Sequence, residues 1–153
     1  MTDEEIISEV KKYQAAQIVL TGGEPSLFID EKFVRNLKEK SGLQIAIETN
    51  GTRELPKGID WVTVSPKIGM SITGDSELKC RHADELKVVD VGQDLEPYFH
   101  LNCIGASTVM LLQPCWVEDP VAREENTRRT IQRVLNDSRW RLSVQTHRYI
   151  GVQ

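Results

Sequence analysis

The chain has 153 residues, 39% of them hydrophobic and 27% charged, with a formal net charge of −4. That is ordinary usage for one globular domain with a well-buried core, and the acidic balance offers no electrostatic footprint for nucleic acid or an anionic membrane, so direct tRNA binding is not expected. No apolar run approaches the ~20 residues needed to span a bilayer. The start, Met1-Thr2-Asp3-Glu4-Glu5, is acidic where a secretory signal is basic, and a cytoplasmic location is expected.

Along the chain the pattern alternates between helix and strand. Thr2 with Glu5 three residues on forms a capping box, and Ile6, Ile7, Val10 and Tyr13 fall on one face of the helix that follows. The apolar run at 17–20 is predicted as a buried strand. Asp30 is the expected N-cap of a helix with Phe33, Val34 and Leu37 facing inward, ending near Ser41-Gly42. Residues 43–47 are nearly all apolar, as in a strand buried on both faces of a parallel sheet, and 61–64 repeat the pattern. Further strands are predicted at 84–89, 108–112 and 141–145. The stretch 91–107 is poorly periodic and reads as loop or short helix. Asp119-Pro120 opens a charged helix as N-cap and N1 proline, with Ile131, Val134 and Leu135 on its buried side. Residues 67–83, with Gly69 and Gly74, have no apolar period. They read either as a mobile excursion over the active face or as a plain surface loop. Strands alternating with helices imply βαβ units and a parallel sheet in a single α/β domain over 1–153.

The most informative segment is Thr21-Gly22-Gly23-Glu24-Pro25, directly after the first strand. Glycines permit positive φ and close approach of backbone N–H groups to a ligand, proline fixes the exit, and Glu24 is an anionic acceptor suited to an ammonium group. Taken alone, the run is equally an ordinary strand-to-helix turn with a solvated glutamate. Two more polar clusters, Glu48-Thr49-Asn50-Gly51-Thr52 and Ser65-Pro66-Lys67, follow the next two strands. Strand C-terminal ends are where α/β folds gather ligands. Singly, Asn50-Gly51 also reads as a simple turn and Lys67 as a solvated cation.

The three clusters in this order, with Glu85-Leu86-Lys87-Val88-Val89, Leu112-Gln113-Pro114 and the closing Gln145-Thr146-His147-Arg148-Tyr149, resemble the radical S-adenosylmethionine (SAM) enzymes, and among them the 7-carboxy-7-deazaguanine synthases of queuosine and deazapurine biosynthesis. The resemblance runs from Ile6 onward. It implies a parallel-sheet, partial (open) TIM-like barrel. It also implies SAM binding by Gly22, Gly23, Glu24 and Pro25 at the methionyl amino group, by Glu48 and Asn50 at ribose or methionyl groups, by Ser65 and Lys67 near the carboxylate or ribose, and by Gln113 near the adenosine. Thr21 and His147 would meet the substrate, 6-carboxy-5,6,7,8-tetrahydropterin. His147 equally reads as a cap on the last strand packed on Tyr149. The terminal Gly151-Val152-Gln153 departs from the proline ending of some members.

In such enzymes a [4Fe–4S] cluster on a Cys-x3-Cys-x2-Cys loop reduces SAM to a 5′-deoxyadenosyl radical, which abstracts hydrogen from C6 of the pterin. Ring contraction with loss of ammonia follows, SAM is regenerated, and Mg²⁺ assists. Here Cys80, Cys103 and Cys115 are isolated from one another and cannot form that loop. Cys115 reads as a small buried thiol, and the odd count without paired spacing argues against disulfides. The expectation is therefore an N-terminally truncated member, lacking the first strand and cluster segment and inactive alone. It would be completed by a separate N-terminal segment or form a homodimer. The alternative is a non-catalytic nucleotide- or partner-binding module of the same fold.

Overall fold

A computed structural model describes residues 2–68 and 77–152. Among these residues six parallel strands lie in sequential order in one sheet. Helix α1 (Asp3–Val10) precedes β1 (Gln17–Leu20), and α2 (Glu31–Ser41) connects it to β2 (Gln44–Thr49). Strands β3 (Trp61–Val64), β4 (Glu85–Asp90) and β5 (Val109–Pro114) follow, and α3 (Pro120–Asn136) leads to the two-residue β6 (Arg141–Leu142) and a closing helix α4 (Thr146–Ile150). Sequential all-parallel order is that of a partial barrel, left open between β1 and β6 among the described residues.

Local chemistry sets the helix ends. Thr2 and Glu5 form the capping box of α1, Asp30 accepts from the Phe33 amide at the start of α2, and Gly42 ends α2 at φ 72°. Asp119 caps α3 through the Ala122 amide, with Pro120 in its first turn. Helix α1 stops at Val10, however, so Tyr13 lies outside it and is exposed.

The strands have two unlike faces. One carries Ile45, Ile47, Val64, Leu86, Val88 and Leu112, all fully buried. Ile7 and Leu37 pack on it at the β1–β2 end, and Tyr98 and Trp140 further along. Each such side chain contributes roughly 1.5–3 kcal/mol by leaving water. The opposite, inner face is far more open and more polar.

Several predicted features shift. Strand β1 is an edge strand with Val19 half exposed, not a buried one, because β2 alone pairs with it among the described residues. Strand β2 is buried on both sides only at Ile45-Ala46-Ile47, and its end opens at Glu48. On α3, Val134 joins the core but Ile131 and Leu135 are exposed. The helix turns inward a polar face, Arg129, Thr130 and Arg133, toward the fully buried Asp90 at the end of β4. The last strand ends at Leu142 rather than 145, since Ser143 N–H to Leu112 O is its final ladder bond before the chain turns into α4. A 3₁₀ turn, Glu96–His100, occupies part of 91–107. Of the 67–83 excursion, Gly69 and Gly74 lie outside the described residues. The return at Lys79 and Cys80 is anchored by two amides on Gly51 O, at 2.9 and 3.0 Å.

Candidate functional site

After β1 the chain turns through Gly22, at φ 123°, into a 3₁₀ turn, Pro25–Leu27, capped by Glu24. Glu24 Oε1 accepts from the Ser26 amide (3.2 Å), the Ser26 hydroxyl (2.6 Å) and the Thr49 hydroxyl (2.6 Å), and Oε2 from the Asn50 amide (2.7 Å). Burial pushes this carboxyl up, but the hydrogen bonds from Ser26, Thr49 and Asn50 outweigh it and hold it below its ordinary value. Glu24 is thus a brace between two strand ends as well as an acceptor. Its remaining lone pairs and the glycine backbone are what the turn can offer a ligand cation.

Gly23 differs from Gly22. Its φ is not positive, and a Cβ built there meets no atom of the chain within 4 Å. Neither backbone conformation nor internal packing requires glycine at 23, and open space beside it leaves the main chain approachable from outside.

Register brings the other predicted residues to the same end of the sheet. Glu48 lies level with Thr63, and Thr63 with Glu85. Ser65 continues from β3, its amide donating to Thr49 O at 2.7 Å, and Lys67 Nζ reaches Ser65 Oγ at 3.4 Å. Gln113 lies level with Val89 near the end of β5. Asn50 Oδ1 accepts from the Thr52 amide and hydroxyl, an Asx turn that shapes the loop. Thr21 is exposed just beyond β1.

The sequence reading gave no role to Lys87, Thr63 or Glu85. Lys87 Nζ pairs with Glu48 Oε1 at 2.7 Å across the intervening β3. The period-two signal was present, since Glu85 and Lys87 alternate with the core residues Leu86 and Val88.

His147 lies in the first turn of α4, exposed, with its carbonyl accepting from the Gly151 and Val152 amides. It does not cap a strand. Tyr149, not His147, makes the docking contact, edge-on to Trp116 at 5.6 Å, and Arg123 and Arg148 lie over the same indole at 4.6 and 5.0 Å.

Similarity to known proteins agrees with this arrangement. No protein-family model matches the chain. A 7-carboxy-7-deazaguanine synthase of Bacteroides thetaiotaomicron is 45% identical over 153 residues, all of this chain and 74% of its own length. The chain belongs to the 7-carboxy-7-deazaguanine synthase family. Synthases of that name from Nitratidesulfovibrio vulgaris and Bordetella pertussis are 39% and 40% identical over 88% of the chain, which spans only 58% and 59% of them. The crystal structure of QueE from Escherichia coli superposes with a TM-score of 0.69 at 29% identity, covering 95% of this chain and 64% of that one. The α/β parallel sheet is therefore the synthase fold, and the family is one of radical SAM lyases.

The donor set fits the family's SAM and not its cluster. Gly23 with its open flank, Glu48, Ser65, Lys67 and Gln113 supply the amide, hydroxyl, carboxylate and ammonium groups that a zwitterionic nucleoside such as SAM calls for. A [4Fe–4S] cluster is different. Cys80 and Cys103 are buried in the core, where burial raises both thiols above their usual range, and Cys115 lies near Trp116. Among the described residues no group of three His, Cys, Asp or Glu could hold a metal ion, and these three separated cysteines do not fit the cluster. Nor, among the described residues, is any helix long and apolar enough to cross a membrane.

Proposed function

We propose that this chain forms the SAM- and pterin-facing part of a 7-carboxy-7-deazaguanine synthase, whose reaction takes 6-carboxy-5,6,7,8-tetrahydropterin to 7-carboxy-7-deazaguanine with loss of ammonia. The observation that carries this is the convergence of the braced Gly-Gly-Glu-Pro turn, Glu48, Ser65 and Lys67, and Gln113 at the C-terminal ends of four parallel strands. In this reading Gly22 to Pro25 receive the methionyl ammonium, Glu48 and Asn50 the ribose or methionyl groups, Ser65 and Lys67 the carboxylate or ribose, and Gln113 the adenosine. Thr21 and His147 face the pterin. The bound cofactor supplies the radical chemistry, and the protein orients it and excludes water.

The three separated cysteines of this chain do not form the loop that would hold the cluster. The chain alone binds SAM without turnover; its assembly is either a homodimer or a complex with a complementing segment that completes the enzyme, in the cytoplasm and without direct contact to nucleic acid.

The test is calorimetric titration of the folded protein with SAM, beside Gly23→Ala. Saturable binding that the added methyl weakens about tenfold or more, with unfolding unchanged, supports a retained cofactor pocket. A folded protein that takes up no SAM rejects it and favours a partner-binding module.

A further inference from the structure

The inner face of the sheet carries an ion pair that spans two strand spacings. Glu48 on β2 and Lys87 on β4 meet at 2.7 Å over β3, whose Thr63, level with Glu48, is only 5% exposed. A threonine at 63 leaves room above β3 for both longer side chains. Lys87 is the more enclosed partner, its side chain 19% exposed against 44% for Glu48. A second carboxylate, Glu85, lies two residues before Lys87 and meets Thr63 Oγ1 at 3.4 Å. The ammonium is therefore held by Glu48 on the floor of the open face, and one oxygen of Glu48 is engaged while its carboxylate stays accessible.

An exposed carboxylate on an extended strand samples several rotamers, and fixing one of them costs binding free energy unless it is fixed beforehand. A lysine bridging from two strands away supplies that preorganisation. From this we infer that Lys87 is a positioning residue of the cofactor site: it orients Glu48, so that the free carboxylate oxygen faces the vicinal hydroxyls of a bound nucleoside. The inference rests on the SAM-binding reading above. It gives Lys87 no contact with the nucleoside. Its effect is exerted entirely through Glu48.

The experiment is a double-mutant cycle read by calorimetric titration with SAM, using the wild-type chain, Lys87→Met, Glu48→Ala and the double variant. Lys87→Met is expected to weaken SAM about tenfold, and Lys87→Arg, which can still pair with Glu48, to restore affinity to within about threefold. The double variant is expected to bind no more weakly than Glu48→Ala alone, because the lysine has nothing left to orient. Thermal unfolding of each variant runs alongside, and Lys87→Gln replaces Lys87→Met should the latter fail to fold. Wild-type binding that Lys87→Met leaves unchanged, or additive losses in the double variant, overturn the positioning role while leaving the cofactor pocket intact. No wild-type binding overturns both.

Discussion

The Thr49 hydroxyl donates to Glu24 Oε1 at 2.6 Å, joining the turn after β1 to the last residue of β2. With the Ser26 and Asn50 bonds, one carboxylate fixes two strand ends that no ladder bond connects beyond Leu20 and Ile47. Hydrogen bonds to a charged group are worth about 1.5–3 kcal/mol each in context. Glu24→Ala is accordingly expected to lower the unfolding free energy by about 2–3 kcal/mol, and Thr49→Val by about 1–2 kcal/mol, as read from urea midpoints. Because the folded carboxyl sits below its ordinary 4.5, its contribution is fully present above that pH and is lost as the pH falls through the lower folded value. Wild type should lose stability below about pH 4.5 more steeply than Glu24→Gln. Equal slopes would mean that the carboxylate is not charged in this network.

Three glycines of the strand-end loops separate folding from binding. Gly51 is buried at φ 78°, and a Cβ there would stand 2.8 Å from Leu78 Cδ2 and 2.9 Å from Val64 Cγ1. Gly51→Ala should therefore cost about 2–4 kcal/mol through strain and overpacking together. At Gly22 only the φ of 123° opposes a side chain, so Gly22→Ala should cost about 1–2 kcal/mol. Gly23→Ala meets neither obstacle and should leave stability within about 0.5 kcal/mol, while weakening SAM. Chemical denaturation of the three variants checks the order. A large loss at Gly23 would tie that glycine to folding instead.

Much of this architecture was legible because its signals are local. Thr2 and Glu5, Asp30 and Gly42, and Asp119-Pro120 mark helix ends by satisfying backbone groups within one turn. The mostly apolar runs at β2 and β3 mark strands largely shielded from water. What was not legible depends on distant partners. The facing of α3 is dictated by Asp90, 40 residues from Thr130, so the apolar Ile131 and Leu135 point outward against their own period. The polar clusters at the ends of β1, β2 and β3 could be read in order along the chain. The Glu48 pair with Lys87 could not, because only sheet register brings β2 and β4 within reach. Helix α4 was hidden for another reason. The alternation of Leu142 and Val144 imitates a strand, and the contact that docks the helix, Tyr149 on Trp116, joins residues from separate elements.

The cysteines should divide by accessibility. Cys80 and Cys103 are each 3% exposed, and burial raises both thiols, with Cys80 adding to the effect on Cys103. Since the thiolate is the reactive form, both should alkylate at least about tenfold more slowly than Cys115. Iodoacetamide labelling followed by mass spectrometry should find one modified thiol in the native protein and three after denaturation. Early modification of Cys80 or Cys103 would mean that the core around Trp140 and Tyr98 opens readily.

The strongest structural dependence falls on Asp90. Its side chain is fully buried. Oδ1 accepts from Arg133 at 2.6 Å and the Gly92 amide at 2.9 Å, Oδ2 accepts from Thr130 at 2.8 Å, and Arg129 donates to its carbonyl at 3.0 Å. Arg133 also reaches Gln93 O, so the loop after β4 and helix α3 close on one carboxylate. Removing it leaves two guanidinium groups without their counter-charge; both are partly exposed, so solvent holds the cost to about 2–4 kcal/mol, below that of a wholly buried pair. That is a large share of the roughly 5–15 kcal/mol that stabilises a domain. Asp90→Ala is expected to unfold at markedly lower urea, and the double variant Asp90→Ala with Arg133→Met to lose less than the sum of its parts, because the second change removes a stranded charge. Strict additivity would show that Asp90 and Arg133 contribute independently.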